Sequence, residues 1–239
     1  KRLTESQKRA NSLDIRTDNI FDYALHKSQS GITVFIEGFH KGVDTNIDLI
    51  IPETADIEGK IYKINGIHNG AFSGTKIKSV VTSKNMEDIG QGAFKFCVKL
   101  ESADLSASQH SMIASELFFG CSDLSNVKLG SYIQRVHEHA FENCFALESV
   151  TIPECCRTIA RNAFANCTSL VSVDCKSTSL DIDYGAFALC KELKEFNFSN
   201  VVSIATQAFR KTGFTELNIS GNTRIIGDKA FADCYALSK

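Results

Sequence analysis

The chain has 239 residues, a formal net charge of −2 and a pI near 6.3. This balance gives no electrostatic reason to expect binding to nucleic acid or to an anionic membrane surface. No apolar run approaches the ~20 residues that cross a bilayer, so we expect no transmembrane segment. The sequence begins with Lys1 and Arg2, and no apolar segment of the kind found in a signal peptide follows them. If the protein is secreted, we expect that its signal peptide has been removed.

Residues 1–46 contain no repeat and are predicted to form an N-terminal α/β cap. A cap is needed because the core of the first repeat would otherwise face water. Thr4 followed by Gln7 resembles a helix capping box. The run from 32 to 36 predicts a strand, and a helical face is predicted from the spacing of Ile20, Phe21, Ala24 and Leu25.

From residue 47 onward a phenylalanine returns every 22 to 24 residues. A fixed period in this range indicates a solenoid of stacked repeats, each of which buries its apolar face against its neighbours. We therefore predict that residues 47–239 form one repeat array of about eight units, the last one incomplete. The repeated residues, expected to form a spine through the core, are Phe72, Phe94, Phe118, Phe141, Phe164, Phe187, Phe209 and Phe231.

Each unit is predicted to contain one short strand. The alternation in Val150-Thr151-Ile152 has a period of two, which is typical of a strand with one buried face. Stacking one such strand per unit gives a parallel sheet along one side of the solenoid. The apolar residues between 159 and 164 follow a helical spacing, so we expect short helices or turns on the opposite side.

The repeat carries a recognisable set of residues. In the clearest unit, the pair Ala140-Phe141 is followed by Cys144, Leu147 and the strand that ends at Pro153. Over roughly residues 47–237 this pattern resembles the BspA-like bacterial surface leucine-rich repeats. The resemblance implies a right-handed superhelix of the leucine-rich-repeat type at the cell surface or outside the cell. It also implies adhesion to host or matrix components, and a hairpin insertion in the first repeat at Asp56–Tyr62.

The nine cysteines do not form the pattern of a disulfide framework. Equivalent side chains in stacked repeats point the same way, so we expect free, buried thiols that donate weakly to turn backbone. Metal ligation needs side chains that converge, and no metal or cofactor is expected. Cys155-Cys156 lies outside the core rows and is either a reactive pair or, more simply, two loop residues. The six at one repeat position are Cys97, Cys121, Cys144, Cys167, Cys190 and Cys234.

The fragment most suggestive of catalysis is His137-Glu138-His139. Equivalent positions in other units hold Gly90-Gln91-Gly92 and Ala160-Arg161-Asn162, so ordinary variation on a connection explains it. No Ser, His and Asp stand at spacings that assign a catalytic triad. An enzyme is therefore not expected.

The outward row of the sheet is the predicted ligand-binding surface, because side chains alternate along a strand. The row is polar, mixed in charge and free of aromatic residues, so it lacks the usual hot-spot residue types. We expect extracellular or host proteins, or glycans, as partners; the alternative is a structural spacer in a larger surface protein without its own ligand. The predicted site residues are Asp104, Lys128, Thr151, Asp174, Glu195, Asn197, Glu216 and Asn218.

The last unit lacks a partner for its apolar face. Leu237 matches Leu147 and Leu170, but the sequence given stops before the strand that follows those residues. The sequence therefore predicts either a natural chain that continues past residue 239 or end-to-end association of two copies.

Overall fold

In this computed structural model, residues 13–17, 19–29 and 31–238 are described, and they contain nineteen strands and no helix. The first three strands are β1 (Leu13–Thr17), β2 (Phe21–Ser28) and β3 (Gly31–Phe39), which pair in antiparallel order. β3 then pairs in parallel with β6 (Lys60–Ile67), so the N-terminal strands continue directly into the array. β5 (Thr54–Ile57) and β6 form the antiparallel hairpin that was predicted as an insertion in the first repeat.

The predicted helical face at 20–25 is wrong, because this segment is strand β2. The buried row Phe21, Tyr23 and Leu25 has a period of two, and it faces the core. The ring of Phe21 stacks on Phe39 at 5.7 Å and meets the edge of Phe72 at 6.2 Å. These rings cover the first phenylalanine of the spine. The predicted strand at 32–36 is confirmed within β3, and the capping box at Thr4 and Gln7 lies outside the described residues.

The predicted parallel sheet is present but divided. One part contains β4 (Asp48–Ile50), β7 (Ser79–Val81), β9 (Ser102–Asp104) and β11 (Asn126–Lys128). The other contains β13 (Ser149–Ile152), β15 (Ser172–Cys175) and β17 (Glu195–Phe196). Within each part the strands stack in register, with Val80 beside Ala103 and Val150 beside Val173. The expected strand at 216–218 is not formed, so this sheet ends at β17.

A second parallel sheet runs along the solenoid where turns or helices were expected. Its order is β10 (Met112–Ile113), β12 (Arg135–Val136), β14 (Thr158–Ile159), β16 (Leu180–Ile182), β18 (Val201–Ile204) and β19 (Ile225–Ile226). β8 (Asp88–Ile89) pairs with β6 instead. The inward residues of these strands are fully buried until the last one, where Ile226 is 53% exposed.

Of the short helices or turns predicted after these strands, the described residues form turns, so the helices and the α/β class of the solenoid are wrong. Residues 161–166 form turns, in which alternate N–H groups donate to the next repeat, while Ala163 donates within the turn to the Ala160 carbonyl at 3.2 Å. Phe164 N–H donates to the carbonyl of Ala186 at 2.8 Å, and Asn166 N–H to that of Ala188 at 2.8 Å. Asn166 has a φ of 62°, a left-handed conformation that interrupts a helix. The helical spacing of the sequence therefore reflects turns that direct the same side chains inward.

The predicted phenylalanine spine is confirmed. Seven consecutive ring pairs stack from Phe72 to Phe231, with centroids 4.9 to 5.5 Å apart. The first seven rings of the spine are fully buried, whereas Phe231 is partly exposed. Each ring from Phe94 to Phe209 is covered by the units before and after it, as expected when repeats share one continuous core.

Candidate functional site

The structure divides the predicted sheet-face residues into three places. Asp104 and Lys128 form an ion pair at 3.2 Å across β9 and β11. Thr151 is exposed on β13, beside a hollow of about 260 Å³ at the break between β11 and β13. The remaining five residues line one groove of about 520 Å³ at the end of the sheet: Asp174, Glu195, Asn197, Glu216 and Asn218.

This groove, which we call the β17 groove, has an aromatic floor beneath a polar rim. Phe198 and Phe214 are buried, and Phe196 is partly exposed. The rings of Phe196 and Phe198 lie 4.7 Å apart, and Phe198 lies 5.8 Å from Phe214. The outward row itself has no aromatic residue, and the aromatic side chains of the groove come from inward positions of the strand and of the next unit. The signal in the sequence is a phenylalanine at two strand positions where neighbouring units have valine, isoleucine or cysteine.

The carboxylates of the rim differ in their partners. Asp174 pairs with Lys176 at 3.0 Å, and the lining residue Lys194 pairs with Glu192 at 3.3 Å. Within the part of the chain that the structure describes, neither Glu195 nor Glu216 forms an ion pair. Two exposed carboxylates thus remain available above an apolar floor, which suits a ligand that combines positive charge or hydroxyl groups with apolar surface.

A second hollow, of about 450 Å³, lies near the N-terminal strands and was not predicted from the sequence. His26 Nε2 and His68 Nε2 are 2.9 Å apart, and their rings stack with centroids at 5.1 Å. Glu37 Oε1 lies 3.5 Å from His68 Nδ1, and Phe35 meets both rings edge-on. A hydrogen bond between two imidazoles needs one acceptor nitrogen, so at least one ring is neutral in this arrangement.

The fragment from His137 to His139 does not converge on one point. His137 Nδ1 lies 3.4 Å from Glu138, whereas the ring of His139 contacts Glu142. No group of three or more potential metal ligands occurs among residues 13–17, 19–29 and 31–238.

The six cysteines at the same repeat position are confirmed as a row of free, buried thiols. Each Sγ donates to the carbonyl of a spine phenylalanine 25 to 27 residues earlier, at 3.1 to 3.2 Å. In the two shorter units a threonine stands at the cysteine position, and its hydroxyl donates to the phenylalanine of its own unit, as in Thr75 to Phe72 at 2.8 Å and Thr212 to Phe209 at 2.9 Å. The thiols are therefore structural donors that satisfy buried turn carbonyls.

Thiol reactivity should be limited to one residue of nine. Burial raises the pKa of the Cys121, Cys144 and Cys167 thiols, and that of Cys156 to about 11, whereas Cys155 is exposed. A thiol reagent at pH 8 should modify Cys155 rapidly and the other eight only after denaturation, because the thiolate is the reactive form. Cys155→Ser should abolish the fast phase. Rapid modification of several cysteines in that variant would contradict the burial of the other eight thiols.

No helix in the described part of the chain is long and apolar enough to span a membrane. Two parallel sheets, repeat-to-repeat turns and a central stack of rings define a leucine-rich-repeat solenoid. The family model for the BspA type leucine rich repeat region matches in six copies, over residues 56–168 and 111–238. The chain therefore belongs to the BspA-type leucine-rich-repeat family.

The two solved structures compared below have the same fold and are distant in sequence. A leucine rich cell surface protein from Faecalibacterium prausnitzii A2-165 is 23% identical, with a TM-score of 0.67 over 96% of this chain and 55% of that one. The present chain thus spans little more than half of that relative. A leucine-rich repeat protein from Bacteroides ovatus is 22% identical, with a TM-score of 0.72 over 93% and 69% of the two chains. Comparison with curated protein sequences gives no match.

Proposed function

We propose that this chain is part of a cell-surface or secreted protein and binds a protein or glycan on its sheet face, with adhesion to host or matrix components as its role. Membership of the BspA-type family supports the surface location, as does a structural relative described as a leucine rich cell surface protein. The observation that carries the proposal is the β17 groove, which collects five of the eight predicted site residues.

The groove offers three kinds of contact side by side. The free carboxylates of Glu195 and Glu216 accept hydrogen bonds from hydroxyl, ammonium or guanidinium groups. Asn197 Oδ1 accepts the N–H of Ser199 at 2.9 Å, which leaves the Nδ2 group of Asn197 as a donor for a ligand. The partly exposed Phe196, above the buried Phe198 and Phe214, gives apolar surface for the body of the ligand. This mixture fits a recognition surface better than a catalytic one, and no enzymatic activity is proposed.

Removing the rim carboxylates should weaken binding without unfolding the protein. The experiment is a binding screen against extracellular-matrix proteins and glycans, repeated with the triple variant Asp174→Ala, Glu195→Ala and Glu216→Ala. We expect about a tenfold loss of affinity for a partner identified with the native protein, and a loss of affinity as salt is added.

The matched control changes three exposed acids outside the groove: Glu87→Ala, Glu154→Ala and Asp228→Ala. This variant has the same net charge as the groove variant and should bind normally. Equal affinity of the groove variant and the native protein would place the interaction elsewhere on the molecule.

One observation favours the alternative of a structural spacer for the N-terminal half of the array. Outward side chains there pair with each other, as in Ser79 to Asp48 at 2.6 Å and Lys128 to Asp104 at 3.2 Å. Groups that are already paired offer less to a ligand. A spacer would give no partner in the same screen.

A further inference from the structure

On the side of the β17 groove, the hydrogen-bond ladder between repeats is interrupted at β17 and resumes one unit later, where Ser238 N–H donates to the Thr215 carbonyl at 3.0 Å. In the preceding units, the carbonyl just before the strand accepts an N–H from the next repeat, except at Ser125, where the sheet is divided between β11 and β13. Lys78 accepts from Glu101 at 2.7 Å, and Val171 accepts from Lys194 at 2.9 Å. Lys194 is the next carbonyl in this series, and no N–H of the described residues donates to it.

The same edge exposes the backbone of Phe196. Glu195 N–H donates to the Val171 carbonyl at 3.2 Å, towards β15. Successive residues of a strand direct their N–H and C=O groups to opposite sides, so those of Phe196 point away from β15. On that side the chain at 216–218 is irregular and forms no strand with β17. The unpaired edge therefore opens into the β17 groove, between β17 and the segment that contains Glu216.

We infer that the open edge of β17 receives an extended, basic peptide segment of a protein partner, which adds to the sheet as a further strand. This inference rests on the proposed function and names the ligand class for the same groove. Strand addition gains affinity from main-chain hydrogen bonds, here to Lys194 and Phe196, and selectivity from alternate side chains. An exposed sheet edge is a template for this kind of pairing.

The charges of the groove select a basic peptide. Glu195 and Glu216 flank the edge and are free of ion pairs among the described residues, whereas the nearby Lys194 and Lys176 are each paired with an acid. Alternate side chains of an added strand face the same way. Lysine or arginine at every second position can therefore lie against the two carboxylates, and small apolar residues between them can lie against the partly exposed Phe196.

The experiment uses the whole chain and a fluorescein-labelled peptide of nine residues in which lysine alternates with valine and threonine. Two further peptides serve as matched controls. One carries glutamate in place of lysine, and one is N-methylated at alternate amides, so that it keeps its side chains but loses backbone donors. We expect each to bind at least about tenfold more weakly in fluorescence anisotropy. Hydrogen exchange at the Phe196 amide should slow on addition of the first peptide, while exchange at the Val80 amide should not change.

Substitutions in the protein test the charge requirement separately. Glu195→Gln combined with Glu216→Gln should weaken the lysine peptide about fivefold, because both carboxylates lose their charge. Glu87→Gln combined with Glu154→Gln, at exposed acids outside the groove, should leave its affinity unchanged.

Three results would overturn the inference. Equal binding of the N-methylated and parent peptides would show that no backbone pairing occurs. Unchanged exchange at Phe196 would place a bound peptide elsewhere. A screened partner that loses affinity for the groove variant, with no binding of the lysine peptide, would support the proposed function and contradict strand addition.

Discussion

Replacing Phe164 by alanine should lower the free energy of unfolding by about 3–5 kcal/mol. The ring is fully buried and lies between Phe141, with centroids 4.9 Å apart, and Phe187, at 5.1 Å. Two well-packed neighbours cannot easily collapse into the space, so the cavity term adds to the lost burial. Chemical denaturation followed by circular dichroism measures the effect.

The matched variant is Phe231→Ala at the far end of the spine. Phe231 is partly exposed and stacks on one spine ring, Phe209, at 5.4 Å. Its removal should therefore cost clearly less than that of Phe164. Equal losses at the two positions would be inconsistent with a stack in which each ring depends on both neighbours.

The second large effect is a loss of stability in acid that originates at one histidine. His110 is 2% exposed, and neither ring nitrogen has a hydrogen-bond partner among the described residues. Burial lowers the pKa of His110 from 6.5 to about 4. His110 is therefore protonated near pH 6.5 in the unfolded chain, but only near pH 4 in the folded protein. Above pH 6.5, protonation of His110 does not reduce the free energy of unfolding. As the pH falls from 6.5 to about 4, this protonation lowers the free energy of unfolding by about 3 kcal/mol.

The measurement compares native protein with His110→Leu in urea titrations at pH 7, 5.5 and 4. Carboxylates titrate in both proteins, so the difference between them isolates the histidine. The native protein should lose about 3 kcal/mol more than the variant across this range. Parallel pH profiles would show that His110 is accessible to protons in the folded state.

The sequence was sufficient for features that repeat many times. Eight phenylalanines and six cysteines at fixed offsets allow a spine and a thiol file to be predicted, because one repeated environment explains every copy. The second sheet was missed because strands such as Arg135–Val136 contain one inward residue each. Such a strand has no alternation to detect, and its partners in the sheet lie 23 positions away in the sequence. The helix prediction for the β2 segment was wrong for another reason, because the spacing of its apolar residues fits both a helix and a strand.

The candidate site was predictable in its charges and not in its shape. Alternation along the strands correctly placed Asp174, Glu195 and Glu216 on one surface. The groove exists because the segment from 216 to 218 leaves the strand geometry of its predecessors, although Leu217 keeps the expected apolar character. That departure depends on how Phe196, Phe198 and Phe214 fill the core together, which is a matter of packing and not of local pattern.

The constant ring spacing along the spine has a consequence for how such a chain can change in length. Rings 4.9 to 5.5 Å apart fix the rise per turn, while the number of residues per turn varies from 22 to 24. The loops between rings can therefore accommodate single-residue insertions. When a whole turn is duplicated or deleted, the turns that become neighbours still stack one phenylalanine ring on another. Splicing at equivalent phenylalanines should therefore yield folded proteins that differ by one turn, whereas removal of half a turn should not.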